Sequence, residues 1–304
     1  QAPGAVVMIR PHRFHPNPET ASDNAFQRQS GNLSPVQLAK QAYHEVTEAA
    51  AILERKGVRV HIFEDRGENE TPDSVFPNNW FSTHPGGHVA IYPMYSPSRR
   101  RERRYDIIEM LKAEYRVQDI IDYSSLEFDN LFLEGTGAMV LDHIARVAYT
   151  AKSNRADAIA LERFCTHFNF EPMAFSTADE NGDAIYHTNV MMCIATQFAL
   201  VGLRMIEDKQ RREEIQIRLQ EVGREVIDLD YHQIGEFAGN AIELSTAEGR
   251  ILVLSARAAE ALNHEQKEII EKSAEMVELS VPTIELAGGS VRCMLAGVHL
   301  SRRY

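Results

Sequence analysis

The stretch Gly137-Ala138-Met139-Val140-Leu141-Asp142, then Ile144 to Tyr149, then Lys152-Ser153-Asn154 opening a run to about Phe168, and finally Glu171 to Phe175, decides the fold. It predicts two strands, a helix and a third strand. The order recurs. Asn240 to Ser245 and Arg250 to Leu254 predict strands around the turn at Glu248-Gly249, followed by a helix over about Asn263 to Glu275 and a strand at Met276 to Leu279. A second unit runs through Phe76–Asn79, Val89–Met94, a helix at Arg99–Glu114 and Tyr115–Ile120. A fourth runs through Asn189–Ala195, a helix near Lys209–Gly223 and Val226–Leu229. The first wraps around the termini: strand Val6–Ile9, helix Pro35–Lys56 and strand Val58–Phe63, with Val291–His299 supplying the closing strands.

Five such units predict a closed α/β ring, folded as one catalytic domain over residues 1–304, whose short radial sheets leave no long open edge. A doubly wound α/β sheet is the commoner alternative, but no glycine-rich phosphate loop opens a first unit. Helix signals agree with the ring. Leu38, Ala42, Val46, Ala49 and Leu53 form one stripe of a 3.6-residue period. Ser34-Pro35-Val36-Gln37 is a complete start signal, Asn263-His264-Glu265-Gln266 has a similar form, and Gly57 stops the first helix. Polar residues beside the first strands are evenly spaced: Asn79, Glu134, His187, Asn240 and Cys293 stand at intervals of 55, 53, 53 and 53 residues. In a closed ring these side chains meet near one axis.

Composition sets the outer limits. A net charge of −12 over 304 residues disfavours a duplex-DNA or anionic-membrane partner. Three scattered cysteines, Cys165, Cys193 and Cys293, suit a reducing, cytoplasmic setting better than a disulfide framework or a metal knuckle. No apolar run approaches the roughly 18 residues that span a bilayer. His12 with His15, and His84 with His88, lack the rest of a ligand set, so no metal site is expected. The basic run Arg99-Arg100-Arg101-Glu102-Arg103-Arg104 reads as a solvated helix face. A homo-oligomer is compatible with the sequence but not dictated by it.

Candidate chemistry gathers at the spaced residues. Cys293 follows Gly288-Gly289-Ser290-Val291-Arg292, where glycines permit close approach and Arg292 adds charge, although strand alternation can turn Arg292 away. An inert buried thiol is the competing reading. His187, in Ile185-Tyr186-His187-Thr188-Asn189, can move protons near neutral pH or be merely structural. Glu134, in Phe132-Leu133-Glu134-Gly135-Thr136-Gly137, can hold a nitrogen-rich group in a dry pocket or sit exposed at a strand end. Asp73 is a second candidate carboxylate, and Asn78, Asn79, Asn189 and Asn240 offer neutral donors and acceptors. Turn or edge roles are their alternatives. Arg10 or Arg13 could hold a substrate carboxylate.

Together, Asp73-Ser74-Val75-Phe76-Pro77-Asn78-Asn79-Trp80-Phe81-Ser82-Thr83-His84, Leu133-Glu134-Gly135-Thr136-Gly137, His187-Thr188-Asn189 and Gly288-Gly289-Ser290-Val291-Arg292-Cys293 resemble the guanidine-modifying superfamily. This group includes arginine deiminases, dimethylarginine hydrolases and amidinotransferases. The chain looks nearest the bacterial arginine-deiminase-related group associated with citrulline use. The resemblance implies a five-bladed α/β propeller of the pentein type, with Cys293 as nucleophile, His187 as acid/base and Glu134 contacting substrate nitrogen. It implies Asp73 as a substrate contact, and chemistry without a metal or organic cofactor.

The departures bear on substrate. Asn78 and Asn79 match places where dimethylarginine hydrolases often carry an acidic pair, and arginine deiminases commonly have aspartate at the place of Asn79. Asn189 and Gly137 likewise stand where arginine deiminases have aspartates. Amides suit a neutral ureido group better than a guanidinium, which favours paired carboxylates. The expected function is therefore cysteine-dependent hydrolysis of a C–N bond in a small ureido or guanidino amino acid, most simply a citrulline-like one. The alternatives are hydrolysis or deimination of arginine or methylarginine, amidinotransfer, and a non-catalytic amino-acid sensor.

Overall fold

Wherever a turn and then a helix separate three apolar runs, a three-stranded sheet forms. The computed structural model describes residues 1–28, 31 and 33–303. β1 (Ala5–Pro11) pairs in parallel with β2 (Arg59–Asp65) across the helix Pro35–Arg55. The remaining sheets follow in order: β3 (Phe81–His84), β4 (His88–Ile91) and β5 (Asp119–Asp122); then β6 (Met139–Asp142), β7 (Val147–Ala151) and β8 (Glu171–Phe175). Next come β9 (Met192–Ile194), β10 (Phe198–Val201) and β11 (Glu225–Asp228), then β12 (Ile242–Thr246), β13 (Gly249–Ser255) and β14 (Glu275–Leu279). In each, the middle strand is antiparallel to the first and parallel to the third. A tight turn serves the antiparallel pair. The parallel pair needs a crossover, which the helix supplies.

β15 (Ala296–Gly297) completes the first sheet, pairing antiparallel with β1 at Val6–Gly297 and Val7–Ala296. The two ends of the chain thus share one sheet, as the wrapped first unit requires. Between units, β6 packs beside β9, β9 beside β12, and β15 beside β3. Five sheets of one topology are consistent with a pseudo-five-fold architecture.

The helix signals are realised as bonds. Ser34 Oγ accepts from Gln37 N at 3.3 Å while Gln37 Oε1 accepts from Ser34 N at 2.9 Å, and Asn263 and Gln266 exchange the equivalent pair. Gly57, at φ +86°, turns the chain out of the first helix through a conformation that a side chain would strain. Leu38, Ala42, Val46, Ala49 and Leu53 are all buried on that helix's inner face.

Three expectations change. The fourth unit has a strand, β10, that the sequence reading passed over. The helix predicted over Arg99–Glu114 is broken into a turn at Pro97–Arg100 and a helix at Tyr105–Glu114. The strands predicted at Phe76–Asn79, Gly137–Asp142, Asn189–Ala195 and Val291–His299 each begin with a helical turn: Pro77–Asn79, Gly135–Ala138, Thr188–Val190 and Val291–Met294. Only Ala296–Gly297 remains as a strand at the C-terminal end. No helix among the described residues is long and apolar enough to cross a membrane.

Candidate active site

Those helical turns place the evenly spaced polar residues at the N-terminal ends of the inner strands. Cys293 lies in the Val291–Met294 turn, 2% exposed. Asn189 Nδ2 and Asn240 Nδ2 reach its sulfur at 3.2 and 3.3 Å, so two amide N–H groups point at the atom where negative charge would sit. Asn240 is itself held by its Nδ2 on Asn189 O and its Oδ1 on Arg292 N.

His187 caps the Thr188–Val190 turn and contacts Glu134 Oε2 through Nε2 at 2.7 Å. Glu134 is fully buried. Burial alone would raise its pKa, but Arg155 at 3.6 Å, the His187 bond and Arg99 at 3.6 Å outweigh it and hold the carboxyl well below the usual range. Burial lowers His187 to about 4 against the opposing pull of Glu134. A neutral His187 then donates Nε2–H to the carboxylate, which leaves Nδ1 as the proton acceptor. Gly137 makes that arrangement fit, because a Cβ there would stand 2.1 Å from Asn79 Nδ2 and 2.8 Å from His187 Nδ1.

Asp73, also buried, accepts from Asn17 Nδ2 at 2.8 Å through Oδ2 and leaves Oδ1 without a partner. Burial raises its pKa, and Arg99 and Asn17 counter this. Asn79 Oδ1 accepts from Arg99 Nη1 at 2.8 Å, and Asn79 Nδ2 donates to Asn78 Oδ1. Cys293, His187, Asp73, Asn79, Arg99 and Arg155 line one narrow cavity, covered by the segment carrying Thr20 and Asn24. Glu134, Asn189 and Asn240 support it from behind through the bonds given above. Asn78 stays one residue back, with its Nδ2 unpartnered.

Two site residues escaped the sequence reading. Arg99 is not on a solvated face. It is 2% exposed, paired with buried Glu102 at 3.0 Å and bonded to Phe76 O and Asn79. Arg155 lies over the Tyr186 ring at 4.7 Å and pairs with Asp23. The i,i+3 spacing of Arg99 and Glu102 was the available signal for the first; nothing local marks the second. Arg10 pairs with Glu64 away from the cavity, and Arg13 lines a separate surface groove. Among the described residues, no group of three or more His, Cys, Asp or Glu is arranged to hold a metal ion.

A family model described as N,N dimethylarginine dimethylhydrolase, eukaryotic, matches residues 10–300. The chain belongs to this family. Membership places it among the hydrolases of the amidinotransferase and deiminase superfamily. No curated protein gives a sequence match. Among solved structures, the N-terminal domain of ArgZ, an arginine dihydrolase of the cyanobacterial ornithine-ammonia cycle, was determined bound to substrate. It is 17% identical with a TM-score of 0.72, the match covering 98% of each chain. Unliganded AgrE is 17% identical with a TM-score of 0.73, matched over 99% of this chain and 40% of its own. DDAH from Pseudomonas aeruginosa, a mutant complexed with citrulline, is 12% identical with a TM-score of 0.65, over 99% and 100% of the two chains. The chain also spans 40% of the longer form of ArgZ. At these identities the likeness is one of fold. The family match favours the arginine and methylarginine alternative over the citrulline-like main expectation.

Proposed function

We propose that the chain hydrolyses a C–N bond in the guanidino group of an arginine-like amino acid, unmodified or N-methylated. Residues 1–304 would form one five-bladed α/β propeller domain with Cys293 as nucleophile. The observation that carries this is the convergence on Cys293 Sγ of two amide donors, in a cavity shared with a His187–Glu134 pair and the unpartnered Asp73 Oδ1. A guanidinium brings N–H groups that such an acceptor needs, and Glu134 supplies further negative charge. The pairing of β15 with β1 and the packing between inner strands support closure of the ring.

The proton inventory suits the chemistry. His187 Nδ1 takes the thiol proton as Sγ bonds to the guanidino carbon, and the imidazolium is stabilised by Glu134. The proton passes to the departing nitrogen, and ammonia or an amine leaves as the C–N bond breaks. A water then adds to the covalent intermediate and gives a proton to His187. The C–S bond breaks, the sulfur is released, and a ureido amino acid forms. Arg99 and Arg155, each 3.6 Å from Glu134 Oε2, keep that carboxylate ionised beside the reacting group. ArgZ offers a parallel, since one variant of its N-terminal domain was solved covalently bonded to a reaction intermediate.

A ureido substrate is the second reading, favoured by the amides at Asn78 and Asn79. Three free cysteines support a reducing, cytoplasmic location. A product-detecting mass-spectrometric screen of arginine, methylated arginines, citrulline and agmatine separates the readings. The expected result is a ureido product with ammonia or a methylamine from a guanidino amino acid. Turnover of citrulline alone would reverse the assignment.

A further inference from the structure

Arg292 precedes the candidate nucleophile but its side chain faces elsewhere. It lines a second, small cavity of about 60 Å³, to which β3, β6, β9, β12 and β15 all contribute. The active-site groups lie on turns before these strands, so the two cavities occupy opposite ends of the same strands.

The guanidinium of Arg292 makes one bond, from Nη1 to Leu295 O at 2.9 Å, and has no ion-pair partner among the described residues. The lining carboxylate, Glu243, accepts from Thr196 N and Oγ1 at 2.9 and 2.6 Å through Oε2; its Oε1 makes no hydrogen bond, and Arg250 Nε, 3.3 Å away, balances its charge. Three imidazoles complete the cavity. His143 stacks on His299 at 4.3 Å and lies 6.0 Å from His84. Both His84 and His143 leave Nδ1 without a partner. Ser82 Oγ joins Tyr92 Oη at 2.6 Å to His84 Nε2 at 2.7 Å. One direction that satisfies these bonds, Tyr92 donating to Ser82 and Ser82 to Nε2, puts the His84 proton on Nδ1.

An unpaired guanidinium, with unpartnered imidazole nitrogens able to donate beside it, suits oxygen acceptors with negative charge. Burial holds the histidines below their usual pKa, His143 at about 3, so they donate as neutral rings and Arg292 supplies the charge. A divalent metal is disfavoured by that charge and by ring nitrogens that do not converge.

We propose that this cavity binds a small oxyanion, a phosphate or a compact carboxylate, on Arg292 with His143, His84 and His299 around it. The test is imidazole NMR of histidine-labelled full chain, titrated separately with inorganic phosphate and acetate against a chloride control of equal ionic strength. Saturable shifts of His143 and His299 are expected, with affinity weakened roughly tenfold or more in Arg292→Gln, as loss of a charge-assisted contact implies. The tighter of the two anions distinguishes a phosphoryl ligand from a carboxylate. An anion bound at Arg99 and Arg155 would move His187 instead. Absence of saturable shifts in the unmodified protein overturns the proposal, as do equal affinities in Arg292→Gln. Should that variant not fold, His299→Gln read at His143 gives the same comparison.

Discussion

His187 rests under opposing influences: burial pushes its proton off and Glu134 draws it back. Burial prevails, with a value of about 4, so the ring is neutral across the physiological range and its Nδ1 is free to accept. Below the folded value the ring is protonated and cannot take the thiol proton. The acid limb of kcat/KM, which reports the free enzyme, is therefore expected to fall as pH drops toward about 4, with no break near the ordinary 6.5. A pH–rate profile checks this, and a half-maximum near 6.5 would contradict it. At this scale the sequence marked Cys293, His187 and Glu134 as candidates, and the structure brings the three together. The sequence was misleading at Arg99. A run of five arginines and one glutamate reads as solvated surface, and the partners that draw Arg99 inward, Asn79 and Glu102, act only once the turn at Pro97–Arg100 has formed.

Elements follow local signals when those signals are complete. The Ser34–Gln37 box opens the longest helix, whose buried stripe the 3.6-residue period had marked. Ser34→Ala removes one cap bond and is expected to cost about 1 kcal/mol of stability, with kcat unchanged because the cap lies outside the active-site cavity. Urea unfolding and a turnover assay measure both. Signals fail where an element is short. The turns at Pro77–Asn79, Gly135–Ala138, Thr188–Val190 and Val291–Met294 are too brief to show a helical period, so each merged with the apolar strand after it. The strand β10 has only four residues to show its period.

Over the whole molecule, contacts between units bring distant segments together. Asp142, at the end of β6, receives Arg224 bidentately at 2.6 and 2.9 Å across the third and fourth units, and both side chains are fully buried. Asp142→Ala strands a buried guanidinium and is expected to destabilise the fold by about 3–5 kcal/mol. The urea midpoint checks this; a midpoint unchanged from wild type would show the units to be joined by other means. The 53-residue interval was visible in the sequence, but its meaning depended on the pairing of β1 with β15, a contact between the two chain ends that no local pattern encodes. In the folded chain Cys293 shares a cavity with a histidine from an earlier unit that is itself bonded to a carboxylate. Intact-mass spectrometry of protein quenched during turnover tests the consequence most directly. An adduct on Cys293 is expected, with both adduct and activity lost in Cys293→Ala; undiminished turnover by that variant would contradict a thiol attack at this site.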